Sequence, residues 1–357
     1  MLALNTTAIA WVILVVILLG WITYYFLNSA SARSELGSER ELAPNRKEYY
    51  DDDTLEGRRL ERMQVLGVLL LATLVIGLPV YWILEPGRQA GAQEGKANRF
   101  VSWGEQLFQT TANGGFNCAG CHGGLKGAGG QAPYAVTDPK TGEVKAVNWY
   151  APALNTVFYR FSKEEVRFIL NYGRPFSPMS AWGAPGGGPM TEQNIETLLA
   201  YLESIQIQPE GCTTERFPKN ADPYICEGGT LPKDTKAEIQ KSIDAYLKAK
   251  PGASEGEAIF NLDLASGAYS CARCHTQGWS YGDPGVTAQG GMGWNLTGGA
   301  TNSHFPNEAD MISFIKAGSV FGKKYGQQGQ GSGRMPGFGH LLTDEQIKAV
   351  VEYVRGL

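Results

Sequence analysis

The pentapeptide C-A-x-C-H occurs twice in this chain of 357 residues, at Cys118–His122 and at Cys271–His275. These two motifs hold half of the four histidines. A Gly-Glu pair precedes each motif, at Gly104 and at Gly256, and a segment with a helical pattern follows each one. Because the two copies are displaced by 152 or 153 positions throughout, we expect two domains of the same fold.

The segments that follow the motifs are "TEQNIETLLAY" and "TDEQIKAVVEY". Thr191 and Thr343 begin them as predicted helix N-caps, with acidic residues in the first turn. Apolar residues then recur at helical spacing in both segments. Each unit is therefore predicted to contain a first helix, a turn that carries the motif, a glycine-rich loop region and a closing helix.

The spacing C-x-x-C-H is the attachment signature of c-type haem. Two thiols one helical turn apart form thioethers with the two haem vinyl groups, and the adjacent histidine becomes the proximal iron ligand. The sequence therefore predicts two covalent haem c groups. The predicted attachment and iron-binding residues are Cys118, Cys121 and His122 in the first motif, and Cys271, Cys274 and His275 in the second.

A zinc site or a redox site is the alternative interpretation of C-x-x-C. Structural zinc needs four protein ligands, and neither motif has a second C-x-x-C or a histidine pair beside it. A thioredoxin-like site does not require the adjacent histidine, and here that histidine is present twice. The pattern therefore favours haem.

Two apolar stretches precede these units, residues 8–27 and 65–84, each with 20 residues and no charge. About 20 apolar residues span a hydrocarbon core of about 30 Å, so both are predicted to be transmembrane helices. A cleaved signal peptide is the alternative for the first stretch. No basic residue precedes it, and its length exceeds that of an ordinary signal core.

The intervening loop, residues 28–64, carries seven Lys and Arg, whereas the first seven residues carry none. The positive-inside rule places this loop in the cytoplasm, and both termini and the haem domains outside a cell membrane that the chain crosses twice. The formal net charge of −4 argues against a nucleic-acid partner. The predicted segments are a membrane anchor (1–96), a first haem domain (97–205), a linker (206–250) and a second haem domain (251–357).

Each unit resembles the class I cytochrome c fold. The predicted fold class is therefore mainly α, with two N-terminal transmembrane helices followed by two cytochrome c-like haem domains. The resemblance implies a methionine as the sixth iron ligand, on the loop before the closing helix. Met335 in "GRMPGFG" fits this pattern. In the first domain Met179 is favoured over Met190, because Met190 adjoins the N-cap of the closing helix. Met179 lies 61 residues after the first cysteine of its motif, and Met335 lies 64 residues after its own.

The resemblance also implies that the carbonyl of Pro152, in "YAPALN", holds the ring of His122. The second domain has no matching proline, so the partner of its proximal histidine stays open. His304 and His340 are expected to be ordinary surface or loop residues, and a haem with two histidine ligands is the alternative.

Six cysteines minus four thioethers leave Cys212 and Cys226, between the two haem domains. An oxidising compartment favours a disulfide between them. Closing a loop of about 15 residues would stabilise the fold by roughly 3 kcal/mol in the chain-entropy estimate. Two free thiols are the alternative.

A c-type haem with both axial positions filled has no open iron position, so one-electron transfer is the expected chemistry. The chain resembles the di-haem cytochrome cc subunit of actinobacterial-type menaquinol:cytochrome c reductases, the bcc complexes. The likeness rests on the two motifs, the membrane tether and the closing "MPGFGHLLTDEQIKAVVEYVRGL". It departs in the anchor, which lies at the N-terminus here and usually at the C-terminus in that family.

This resemblance implies an electron-transfer subunit with no catalytic residues of its own. Its partners would be cytochrome b, a Rieske iron–sulfur subunit, membrane lipid, and a terminal oxidase or the copper-centre subunit of that oxidase. The di-haem subunit of a cbb3-type oxidase is the first alternative. A di-haem peroxidase would need a displaceable iron ligand, and a purely structural subunit would not need two complete haem motifs.

Overall fold

A computed structural model describes residues 12, 15–17, 19–27, 57–137, 141–174, 177–212, 215–217, 224–262, 270–323 and 334–357. The chain separates into two compact units, Met1–Gly87 and Arg88–Leu357. Helices predominate, and one antiparallel hairpin accompanies them. In chain order the elements are α1 Arg58–Phe108, α2 Cys118–Cys121, β1 Gly130–Thr137, β2 Val144–Ala151, α3 Lys163–Tyr172, α4 Glu192–Ser204, α5 Lys233–Ala249, α6 Glu255–Phe260, α7 Ala272–His275, α8 Ala300–His304, α9 Glu308–Ala317 and α10 Asp344–Arg355.

Helix α1 contains the second predicted span and continues through Pro79 and Pro86. Among the described residues it is the one helix that is long and apolar enough to cross a membrane. Its apolar side chains are exposed in the predicted span, where Ile83 is 77% exposed. The first predicted span, 8–27, lies partly outside the described residues. Its described part, Val15–Leu27, is helical but shorter than a span requires, so a second transmembrane helix is not shown.

In the first haem domain, the end of α1 crosses α4 at a glycine. A methyl group added to Gly104 would overlap the carbonyl oxygen of Thr197 and would lie 2.7 Å from Cβ of Tyr201. One turn further along α1, the ring of Phe108 packs on the ring of Tyr201 with a centroid distance of 5.2 Å. The two helices can approach this closely only because residue 104 has no side chain.

The second haem domain repeats this crossing between α6 and α10. A methyl group added to Gly256 would overlap the carbonyl oxygen of Ala349 and would lie 2.8 Å from Cβ of Tyr353. The ring of Phe260 packs on that of Tyr353 at 5.6 Å. Every residue in this contact is displaced by 152 positions from its counterpart in the first domain, so the two domains use the same helix crossing.

The closing helices begin at the predicted N-caps. Thr191 and Thr343 each form a capping box, with Asn194 and Gln346 respectively as the reciprocal partner. The apolar residues that recur at helical spacing are buried in two separate cores. They are Ile195, Leu198, Leu199 and Leu202 in α4, and Ile347, Val350, Val351 and Val354 in α10.

The hairpin was not predicted. Strands β1 and β2 pair over eight positions, with Gly130 opposite Ala151 and Thr137 opposite Val144. Most of its residues are exposed or half-buried, so no alternating apolar pattern marks the strands in the sequence. The hairpin packs on the second haem domain, where the rings of Trp149 and Tyr281 stack with a centroid distance of 5.6 Å.

Part of the segment predicted to be a linker, 206–250, packs into the second haem domain. Ile239 and Ile243 of α5 are 3% and 0% exposed and belong to the core of that domain. Gly229, which precedes α5 in the chain, also contacts the second domain, because its carbonyl oxygen lies 2.6 Å from Nδ1 of His340. The amphipathic run "TKAEIQKSIDAYLKAK" is therefore a helix whose apolar face packs into the core of the second haem domain.

The helix crossing yields a matched pair of variants on α1. Gly104→Ala should lower the free energy of unfolding of the haem domains by about 1–3 kcal/mol or more, because the new methyl group overlaps α4. Gly95→Ala is the control, since a methyl group there meets nothing within 4 Å. It should be neutral or stabilising by up to about 1 kcal/mol. Urea unfolding midpoints of the full chain in detergent measure both; equal midpoints would contradict the crossing.

Candidate haem-binding sites

The first motif forms the single turn α2, which begins after Asn117 in the left-handed conformation (φ 66°). This turn places Cys118 and Cys121 on one side, and both are free cysteines. His122 follows directly and is only 8% exposed. Its Nδ1 lies 2.8 Å from the carbonyl oxygen of Pro152, which leaves Nε2 as the nitrogen available to a metal.

The position of Pro152 follows from the hairpin. Strand β2 ends at Ala151, so the next carbonyl of the chain reaches the histidine. On the other side, the N–H of Gly129 donates to the carbonyl oxygen of His122 over 2.9 Å. The motif and the hairpin are thus joined by hydrogen bonds on both the ring and the backbone of the histidine.

The second motif has the same arrangement with a different carbonyl. Helix α7 ends at His275, and the Nδ1 of this residue lies 2.8 Å from the carbonyl oxygen of Trp294. The preceding residue, Gly293, permits this approach, because a methyl group there would lie 2.8 Å from the imidazole ring. The contact supplies the ring partner that the sequence left open for the second domain.

Burial sets the protonation of these groups. It raises the pKa of the Cys118 thiol to about 11 and that of the Cys271 thiol to about 12. Burial also lowers the pKa of both proximal histidines, and the hydrogen bond to Pro152 or to Trp294 opposes that effect. The imidazoles are therefore neutral at pH 7, which is the form that binds iron, and the thiols are protonated.

A zinc site is not supported in the described part of the chain. Structural zinc is held by four protein ligands. Among the described residues, no group of three or more His, Cys, Asp and Glu side chains is arranged to hold a metal ion. The four motif cysteines are free to form thioethers instead.

A cavity of about 950 Å³ adjoins the first motif. This volume lies at the upper end of the range for ligand pockets, roughly 300–1,000 Å³. Its walls include both motif cysteines, the proximal histidine, Met179 and many apolar side chains. The residues present fit a large, flat, mostly apolar group attached through two thiols. The apolar part of the wall includes Phe108, Val157, Phe161, Leu170, Leu198 and Leu202.

The backbone carbonyls of the two candidate methionines are held in the same way in both domains. Helices α3 and α9 each end at a glycine with positive φ. The residue after that glycine donates its N–H to the carbonyl oxygen of the methionine. The donor–acceptor distance is 2.9 Å in both domains, from Arg174 to Met179 and from Ser319 to Met335. The two methionines therefore occupy equivalent places in the two domains.

Met190, the other candidate in the first domain, has a different environment. It is 1% exposed and belongs to the first core, and its N–H donates to the carbonyl oxygen of Trp182 over 2.8 Å. It is not among the described residues that line the cavity, whereas Met179 is. The structure therefore favours Met179 as the candidate ligand.

The remaining predicted residues lie away from the first cavity. Cys212 and Cys226 form a disulfide with Cα atoms 5.8 Å apart. The ring of His304 packs edge-on against Phe305 at 4.5 Å. Among the described residues, the two histidines that lie beside attachment thiols are therefore those of the motifs, His122 and His275.

The comparisons with known proteins agree with this geometry. Residues 101–206 match the family model described as "Cytochrome c", and residues 251–354 match the model described as "Cytochrome C oxidase, cbb3-type, subunit III". Neither a curated protein nor a solved structure matches the chain. Two cytochrome c-type domains thus lie in tandem in an electron-transfer haem protein. The tandem arrangement is that of a di-haem cytochrome c.

Sequence reasoning missed three arginines in the wall of the first cavity. Arg160 and Arg174 come from the first domain, whereas Arg273 comes from the second motif. The one signal in the sequence was the difference between the two pentapeptides, since the first has Gly120 at the position of Arg273. That difference alone could not show which cavity the arginine reaches.

Replacing a ligand methionine by leucine tests the axial assignments. Met179→Leu and Met335→Leu should each remove one haem's share of the long-wavelength methionine-to-iron band of the oxidised protein, because leucine has no thioether. Met190→Leu is the control and should leave the band intact, since that side chain lies in the core. Absorption spectra of the full chain measure all three. A band of unchanged intensity in Met179→Leu, or a weakened band in Met190→Leu, would show that Met179 is not the ligand.

Proposed function

We propose that the protein is a membrane-tethered electron-transfer subunit of a respiratory quinol:cytochrome c reductase. In this role it passes electrons from a Rieske and cytochrome b core towards a terminal oxidase. The observation that carries the proposal is the direct contact between the two haem-attachment sites. This contact gives an electron a short path from one domain to the other within a single chain.

The contact runs through residues 150–152, the last two residues of β2 and the proline that follows them. The carbonyl oxygen of Tyr150 accepts a hydrogen bond from Nη1 of Arg273, which lies between the two thiols of the second motif. Two residues later, the carbonyl oxygen of Pro152 holds the ring of His122. The attachment turn of one domain is thus hydrogen-bonded to the strand that orients the proximal histidine of the other.

Side chains fix the two domains around this contact. Trp149 stacks on Tyr281, and the ring of Tyr150 packs on Trp279 at 5.7 Å. At the exposed edge, Nζ of Lys145 lies 2.6 Å from Asp283. Aromatic pairs of this kind add roughly 0.5–1.5 kcal/mol each beyond the burial of their area. The interface therefore holds the distance between the two sites constant, as a relay requires.

A haem c whose two axial positions are filled exchanges one electron at a time. The residues of this chain serve that chemistry by orientation and by exclusion of water. The carbonyls of Pro152 and Trp294 hold the imidazoles. Hydrogen bonds hold the backbone at Met179 and Met335, and these two side chains would supply the second iron ligand of each haem.

The membrane part of the proposal rests on α1, which is long and apolar enough to cross a bilayer. The proposed location is a cell membrane, with both haem domains on its outer side, where thioether attachment and disulfides are formed. The proposed partners are cytochrome b and Rieske subunits on the donor side, and a terminal oxidase or its copper-centre subunit on the acceptor side. A cbb3-type oxidase is the alternative complex.

Mild detergent extraction of native membranes, followed by affinity purification of the tagged full chain, tests the assignment. The proposal predicts co-purification of a b-type cytochrome and a Rieske protein. It also predicts that a menaquinol analogue reduces the haem c of the purified complex. Untagged membranes taken through the same procedure are the control.

Two other outcomes would overturn the reductase assignment. A haem–copper oxidase recovered without a b-type cytochrome and a Rieske protein would assign the chain to the oxidase. A chain recovered alone, and not reduced by the quinol analogue, would be a tethered carrier outside such a complex.

A further inference from the structure

The first haem cavity has guanidinium groups in its wall. Among the described residues of its wall, three are charged, and all three are arginines: Arg160, Arg174 and Arg273. Haem c carries two propionate carboxylates, which must be accommodated wherever the group is bound. A wall with guanidinium groups and without described carboxylates provides the matching charge.

Arg273 is unusual among the three because it belongs to the other domain. It stands between Cys271 and Cys274, yet its side chain turns toward the first domain and lines the first cavity. Two contacts fix its direction. Nη1 donates to the carbonyl oxygen of Tyr150, and the guanidinium lies over the ring of Trp279 at 5.3 Å from the centroid.

The second domain contributes a substantial part of the same wall. The turn after the second motif and the loop that leads to Trp294, whose carbonyl holds the second proximal histidine, both face the cavity. Arg273 therefore joins a surface that the second domain builds for the first haem. Other contributors from this domain include Thr276, Gln277, Tyr281 and Met292.

We infer that Arg273 of the second domain binds a propionate carboxylate of the haem held by the first domain, and that its charge raises the reduction potential of that haem. A guanidinium and a carboxylate form charge-assisted hydrogen bonds in a partly buried site. A fixed positive charge near the iron favours the reduced form, which carries one positive charge fewer. Arg273 would thus contact the cofactor of the other domain across the domain interface.

This inference rests on haem attachment and on the domain interface, and it does not depend on which respiratory complex the chain joins. The co-purification experiment can therefore fail while this inference stands, and the reverse also holds. Within the proposed relay, the effect means that folding of the second domain against the first sets the potential of the first haem.

The two pentapeptides provide the variant. Arg273→Gly converts the second motif to C-A-G-C-H, which is the sequence of the first motif, so it is compatible with haem attachment. Arg273→Lys keeps the charge but loses the planar fork. Lys145→Gln is the matched control, because Lys145 is also a cation at the domain interface but lies at its exposed edge, paired with Asp283.

Redox titration of the full chain, fitted with two components, is the measurement. Haem content per chain is determined for each variant, and Arg273→Gln replaces Arg273→Gly if the latter does not carry two haems. Repeating the titration in a Cys271→Ala/Cys274→Ala background assigns the first haem, since that background can attach haem only at the first motif.

We expect Arg273→Gly to shift the potential of the first haem downward in the full chain. Arg273→Lys should shift this potential much less, and Lys145→Gln should leave it unchanged. An unchanged first-haem potential in Arg273→Gly would overturn the inference, and so would equal shifts in the Lys and Gly variants.

Discussion

The hydrogen bond between Nδ1 of His122 and the carbonyl oxygen of Pro152 is the contact on which the first haem site depends. It fixes the ring so that Nε2 is the nitrogen left for iron. The position of the proline follows from β2, whose own position follows from pairing with β1 and from stacking of Trp149 on Tyr281 in the second domain. The packing of the two domains therefore also fixes the orientation of the His122 ring. The second domain solves the same problem with the carbonyl of Trp294 and needs no hairpin of its own among the described residues.

In each domain the first and last helices cross at a glycine, so no side chain separates them at the point of contact. Gly104 and Gly256 let the first and last helices of their domains meet, and an aromatic pair one turn away covers each crossing. The closing helices then bury four apolar residues each. Burial of such side chains contributes about 1.5–3 kcal/mol apiece, whereas a methyl group at either glycine would separate the helices. The chain uses this arrangement twice, with the residues of the two crossings displaced by 152 positions.

The sequence predicts what side-chain identity determines, and it misses what backbone position determines. The motifs and the capped closing helices follow from residue types at fixed spacing, whereas the role of Gly104 and Gly256 at the helix crossings appears only in the structure. The ring partner of His275 could not be predicted, because any residue can supply a carbonyl. The hairpin was missed because most of its residues are exposed or half-buried and carry no alternating pattern. The reach of Arg273 into the first cavity joins positions 123 residues apart, from 150 to 273, which only the folded chain brings together.

We expect this chain to carry two covalent haem c groups, one on each motif. The decisive measurement is mass spectrometry of the intact purified chain, with peptide mapping and a pyridine haemochrome assay. The expected result is two haems per chain, with one on the peptide that contains Cys118 and Cys121 and one on the peptide that contains Cys271 and Cys274. A chain with no haem, with haem on one motif only, or with another metal held by the motif cysteines would contradict it.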